Sequence, residues 1–168
     1  TQHPTAGLTT RLAMRWVHSH MLSGLLSQEA VEILVSKVYV DPQPFDSPST
    51  VVSAFLRFLR LLSSYDWAKQ PLVFDPQGYF SAEDHSRIRS DFETIRGESS
   101  LGGPPMFIIS SSCLRSQDQQ SRDLSMGLSN KSQKELCMPT FTRNSPEAVV
   151  LSRLITLAKR TEQFLVQL

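Results

Sequence analysis

Along Val51-Val52-Ser53-Ala54-Phe55-Leu56-Arg57-Phe58-Leu59-Arg60-Leu61-Leu62 the apolar side chains return every three or four residues. That is the period of an α-helix, in which residues three and four apart share a face; a half-buried strand would alternate with period two. The spacing predicts a helix with Val51, Val52, Phe55, Leu56, Leu59 and Leu62 on one stripe and Ser53, Arg57, Arg60 and Ser64 opposite. Ser47-Pro48 supplies a capped start, because proline at the first helical position gives up a donor that has no partner there. A helix with so broad an apolar face has to bury it against other elements, so a helical core is expected.

Working outward, Leu8, Leu12, Ala13, Trp16, Val17 and Met21 recur at helical spacing and predict a helix over 9–22, with Gly24 near its end. Ser27 caps a second helix through Val38, with Glu29 in its first turn and Val31, Ile33, Leu34, Val35 and Val38 apolar. Asp41-Pro42-Gln43-Pro44-Phe45-Asp46 is a turn, since its two prolines fix φ and remove donors. On the other side of the central helix, Leu72-Val73-Phe74 lies between prolines and reads as a short strand. Ser81-Ala82-Glu83-Asp84 opens a polar helix to about residue 96, with a narrow stripe of Ile88, Phe92 and Ile95. After Gly102-Gly103-Pro104-Pro105, Met106-Phe107-Ile108-Ile109 reads as a buried strand. Ser145-Pro146-Glu147 then starts a last amphipathic helix through Val150, Leu154, Leu157, Thr161, Phe164 and Leu168. The expectation is a mainly α domain with a minor strand component.

The chain has 168 residues, 40% of them hydrophobic and 20% charged, which suits one globular domain. Seventeen basic against sixteen acidic residues leave a net charge of +1, so a uniformly basic nucleic-acid binder is excluded, though a local patch is not. The longest apolar runs are about four residues, far short of the ~20 that a membrane-spanning helix requires. Residues 110–138 turn polar without a period, and an insert at 114–137 is expected to be mobile. The opening Thr1-Gln2-His3-Pro4 and a close inside a helix at Leu168 read as residues 1–168 of a longer chain, a single helical domain excised from it.

Signals for catalysis are weak. His18 and His20 stand two residues apart, about 200° around a helix, so their rings diverge, whereas metal ligands want three- or four-residue spacing. Cys113 and Cys137 border or occupy the polar stretch, and no metal site is expected. There is no Gly-x-Ser-x-Gly elbow, and nothing fixes Asp75, Asp84 and His85 as a triad. Gly102-Gly103 runs into two prolines, which have no N–H to offer a phosphate. Neither predicted strand carries the Asp-x-Asp or Asp-x-Glu that would hold two magnesium ions. The expectation is a non-enzyme without a cofactor. The basic residues are better placed: Arg11, Arg15 and His18 fall on the solvent side of the first helix, and Arg57 and Arg60 on the third. Such stripes contact phosphates by charge, without reading sequence. Trp16 and Trp67 are of the type that stacks on bases, although Trp16 sits in the apolar stripe and is expected in the core.

Five stretches in order carry a family resemblance. They are Gly7-Leu8-Thr9-Thr10-Arg11-Leu12-Ala13-Met14-Arg15-Trp16, Pro44-Phe45-Asp46-Ser47-Pro48, Tyr65-Asp66-Trp67, Pro104-Pro105-Met106-Phe107-Ile108-Ile109-Ser110 and Thr140-Phe141-Thr142-Arg143. Together they resemble the Nrap family, nucleolar RNA-associated proteins of the small-subunit processome. More loosely, the first helix, the next apolar helix and the Phe-rich helix resemble poly(A)-polymerase-like nucleotidyltransferases. The resemblance implies the second poly(A)-polymerase/oligoadenylate-synthetase-like substrate-binding helical domain of an Nrap protein, whose transferase modules are degenerate. It implies a scaffold of pre-ribosomal RNA maturation in the nucleus and nucleolus. The implied partners are neighbouring domains of the same chain, small-subunit processome proteins and pre-ribosomal RNA. In active relatives a basic residue before tryptophan faces the nucleotide phosphates; Arg15 holds that position here, where lysine is more usual. The alternatives are the substrate-binding half of an active nucleotidyltransferase and a module that binds protein only.

Overall fold

The structure, a computed structural model, describes residues 3–24, 26–98, 105–111 and 148–167. In chain order its elements are α1 (Ala6–Ser19), α2 (Gln28–Val40), α3 (Val51–Ser64), β1 (Leu72–Phe74), α4 (Ala82–Glu98), β2 (Ile108–Ser110) and α5 (Ala148–Val166). Helix α3 is the hub: α1, α2 and α5 all pack on it, and α1 also packs on α2. The architecture is mainly helical with a minor strand component, as the patterning predicts. The polar insert at 114–137, Cys113, Cys137, the Thr140–Arg143 motif and the Ser145-Pro146-Glu147 start lie outside the described residues.

Local chemistry accounts for the helix starts. The Ser27 hydroxyl accepts from the Ala30 N–H at 3.2 Å, the expected cap of α2. At α4 the Asp84 N–H donates to the Ser81 hydroxyl at 3.1 Å while the Ser81 N–H donates to the Asp84 carboxylate at 2.8 Å, a reciprocal capping box. The start of α3 differs from the expectation. Helix begins at Val51 behind a Thr50–Ser53 capping box, not at Ser47-Pro48. Pro48 is buried, and the Ser47 hydroxyl donates to the Tyr39 carbonyl at 3.4 Å, which ties the incoming turn to the end of α2.

Two apolar stripes are also rotated from their sequence reading. In α1 the buried residues are Thr9, Ala13, Trp16 and Val17, while Leu8, Leu12 and Met21 are exposed, and the helix ends at Ser19 rather than Leu22. Thr9 is fully buried because its hydroxyl has partners, the Tyr39 hydroxyl at 2.8 Å and the Thr5 carbonyl at 3.1 Å. In α3 the core residues are Ala54, Phe55, Phe58, Leu59 and Leu62, and Val52 is 59% exposed. The Trp16 ring meets Phe58 edge-on at 6.4 Å, fixing α1 against α3. α5 contributes Leu154 and Ala158 to the same core, whereas its Phe164 stays exposed.

β1 and β2 pair in parallel, with Leu72 opposite Ile108, Val73 opposite Ile109 and Phe74 opposite Ser110. The observed β2 begins two residues later than the run from Met106 suggests, although Met106 and Phe107 are themselves buried. Parallel strands need a crossover, and α4 provides it. Successive side chains point to opposite faces, so Leu72 and Ile108 join the helical core while Val73, Phe107 and Ile109 meet Ile88 and Phe92 of α4. Tyr65-Asp66-Trp67 joins the two halves. The Tyr65 hydroxyl donates to the Pro71 carbonyl at 2.9 Å, the Trp67 indole to the Leu62 carbonyl at 3.1 Å, and Arg96 of α4 to the Trp67 carbonyl at 2.8 Å.

Candidate nucleic-acid interface

On α1, Arg11 and Arg15 are four residues apart, so their side chains leave the helix from one face, and both are exposed. Arg11 Nε donates to the Gly7 carbonyl at 3.4 Å, and among the described residues neither arginine takes part in an ion pair. His18, one turn further, is exposed and its Nδ1 lies 3.2 Å from the Ser23 hydroxyl. His20 turns elsewhere. Its Nδ1 is 2.8 Å from the Trp16 carbonyl, which only accepts, so Nδ1 carries the proton, and its ring lies 4.7 Å from that of Trp16. The two histidines therefore diverge as their spacing predicts. Among the described residues no group of three His, Cys, Asp or Glu side chains comes together to hold a metal ion.

The third helix presents its arginines differently. Arg57 donates to the Asp46 carbonyl and lies over the Phe45 ring, 5.1 Å from its centroid. Arg60 pairs with Glu162 of α5 at 2.9 Å and lies 5.9 Å from the same centroid. Phe45, at 46% exposure, thus sits beneath two guanidinium groups. Together they border a groove of about 260 Å³ that runs to Lys37 and Leu61, and a second of about 220 Å³ that runs to Leu56 and Val166. Neither groove includes Arg11, Arg15 or His18, so the five basic residues form two separate sets rather than one pocket. The sequence offers no sign that Arg57 and Arg60 are already engaged.

Both indoles are buried. Trp16 donates to the Thr161 hydroxyl at 3.1 Å and Trp67 to the Leu62 carbonyl, so neither is presented to a base. The acidic residues near His85 are likewise committed. Burial raises the Asp75 pKa, but the Phe80 N–H, which donates to its Oδ2 at 2.8 Å, and the nearby Tyr79 N–H, Ser111 hydroxyl and Gln77 N–H outweigh it and hold the carboxyl below its ordinary value. The Ser81 N–H and hydroxyl hold Asp84 low in the same way. His85 packs edge-on against Phe80 at 5.7 Å, so these three residues make no triad. A larger groove of about 560 Å³ between Pro71 and α4 is bordered by Lys69, His85 and Arg89; of these the sequence patterning weighs only His85, and only as a triad member.

Residues 3–112 match the family described as Nrap protein PAP/OAS1-like domain 5. Nucleolar protein 6 of Xenopus tropicalis is 33% identical over 156 residues, 93% of this chain and 11% of that protein. Its human counterpart is 29% identical over 157 residues, again 11% of the longer protein. U3 small nucleolar RNA-associated protein 22 of Saccharomyces cerevisiae is 36% identical over 90 residues, 54% of this chain and 7% of that one. The chain spans about a tenth of the length of the nucleolar protein 6 relatives. On the match over α1 to β2, this chain belongs to the Nrap family, in its poly(A)-polymerase/oligoadenylate-synthetase-like helical domain.

Proposed function

We propose that this chain is a non-catalytic interaction domain of a nucleolar protein that acts in pre-ribosomal RNA processing and small-subunit biogenesis. The nucleolar role rests on relatives named nucleolar protein 6 and U3 small nucleolar RNA-associated protein 22. In this reading the domain packs against neighbouring domains of its parent chain and against small-subunit processome proteins, and it touches pre-ribosomal RNA through α1. One observation carries the RNA contact: Arg11 and Arg15 are exposed on one helix face, and no described acidic residue pairs with them. Such a pair binds phosphate oxygens without specifying bases. His18 extends the face by one turn. Arg57 and Arg60 contribute in second place, because Asp46, Phe45 and Glu162 already hold their guanidinium groups.

The reading is tested by ultraviolet crosslinking of the full-length parent protein to pre-ribosomal RNA, with adducts mapped to peptides. Adducts within residues 6–19 are expected, reduced about tenfold by Arg11→Glu with Arg15→Glu, in keeping with a largely electrostatic contact. A yield unchanged by both reversals, or adducts confined to other domains, rejects RNA contact and leaves a protein-binding module.

A further inference from the structure

The parallel ladder leaves one side of β1 open. The Leu72 N–H donates to the Phe107 carbonyl at 2.7 Å, and Leu72 and Phe74 stand opposite Ile108 and Ser110. In a parallel pair alternate residues aim both backbone groups at the partner strand. Val73 therefore aims its N–H and carbonyl the other way, and among the described residues neither has a partner. The open stretch is short. The Pro71 carbonyl is taken by the Tyr65 hydroxyl at 2.9 Å, and the Asp75 carbonyl by the Gly78 N–H at 3.4 Å. Beside it runs the groove of about 560 Å³, with residues 69–73 on one bank and α4 on the other.

Charge on the two banks is unequal. Lys69, with a side chain 81% exposed, stands at the strand bank, and Arg89 and His85 project from α4, against Glu93 as the one acidic residue among the described residues of the lining. Lys69 also meets Asp66 at 3.2 Å, an exposed pair that an incoming carboxylate can replace at little cost.

We infer that this groove takes an extended peptide bearing acidic side chains, which adds to β1 as a third strand centred on Val73. Main-chain bonds to Val73 hold the peptide, and its carboxylates reach Lys69 and Arg89. A peptide fits better than RNA, because a strand edge presents a donor and an acceptor at the spacing of another backbone. The inference is independent of the α1 contact, which lies on a different element.

The test places a photocrosslinker in the full-length parent protein by Gln70→benzoylphenylalanine, at the lip of the groove. The expected adduct is a peptide from a partner or from another domain of the parent, with at least two acidic residues in the crosslinked stretch. A synthetic copy of that peptide then binds the full-length protein. Its affinity falls at least tenfold with Lys69→Glu and Arg89→Glu together, and at least tenfold with Val73→Pro. The proline removes an N–H that points away from β2, so the existing ladder keeps its bonds. The charge variant alters only exposed side chains and so tests the groove even if Val73→Pro folds poorly. An RNA adduct, an adduct to residues 112–147 of this same chain, no adduct, or an affinity that survives either folded variant overturns the inference.

Discussion

Met21 follows α1 with φ 57°, in the left-handed region, and is 86% exposed. Its N–H donates to the His18 carbonyl at 2.9 Å and the Leu22 N–H to the Val17 carbonyl at 3.0 Å, the two bonds of a Schellman stop. Glycine is the usual residue there, since any Cβ in this conformation costs about 1 kcal/mol. Met21→Gly should therefore stabilise the domain by about 0.5 kcal/mol after glycine's greater unfolded-state entropy is subtracted, read as a higher urea midpoint at unchanged slope. A destabilised variant would mean that the methionine side chain makes contacts its exposure does not suggest. Asp75 and Asp84 set a pH dependence. Both folded pKa values lie below the ordinary carboxylate value, so their contribution is complete above the unfolded pKa of about 3.9 and is lost as pH falls through the folded values. The urea midpoint should drop as pH falls below about 4, and Asp75→Asn with Asp84→Asn should flatten that drop. An equally steep fall in the double variant would assign acid sensitivity to other groups.

At the scale of the element, α3 shows how a helical period leaves the buried face undetermined by a turn of the wheel. Val51, Val52, Phe55, Leu56, Leu59 and Leu62 make a plausible stripe, but Ala54 and Phe58 are fully buried and Val52 is not. Three helices lean on α3, and its fully buried Phe58 meets the Trp16 ring of α1 edge-on. Phe58→Ala should cost about 3–5 kcal/mol, as removing a buried aromatic ring usually does, whereas Val52→Ser should stay within about 0.5 kcal/mol. Equal losses in chemical denaturation would return Val52 to the core. The caps of α2 and α4 were legible because Ser27 and Ser81 bond to groups three residues away. The start of α3 was not, because the Ser47 hydroxyl bonds to the end of α2 instead and Pro48 is buried in the incoming turn.

For the whole molecule, a net charge of +1 means that any grip on a polyanion is local. If α1 meets two phosphates, replacing Arg11 and Arg15 by alanine should lower the slope of log affinity against log salt by about 1.5, while mutations in α4 leave it unchanged. A slope indifferent to both arginines would remove α1 from the contact. The two halves of the domain are joined at Tyr65-Asp66-Trp67, where Arg96 reaches back from α4 to the Trp67 carbonyl. The parallel β1–β2 pair then gives each half one face of the sheet as its floor.

The amino-acid sequence by itself determined the helices, two of their caps, the two short strands and the family. These depend on period, on short-range bonds and on the order of motifs. It also located Arg11 and Arg15 on solvent, because their exposure follows from the helix they stand on. Only the tertiary structure decided which stripe of α3 is buried and that Arg60 is held by Glu162, a partner 102 residues away. It alone decided that Trp67 is enclosed, as the apolar stripe already implied for Trp16, and that an open strand edge lies beside Lys69 and Arg89. The division has one physical cause. Local structure is set by neighbours within a turn or two of the chain, whereas the accessibility of a side chain is set by whatever distant segment packs against it.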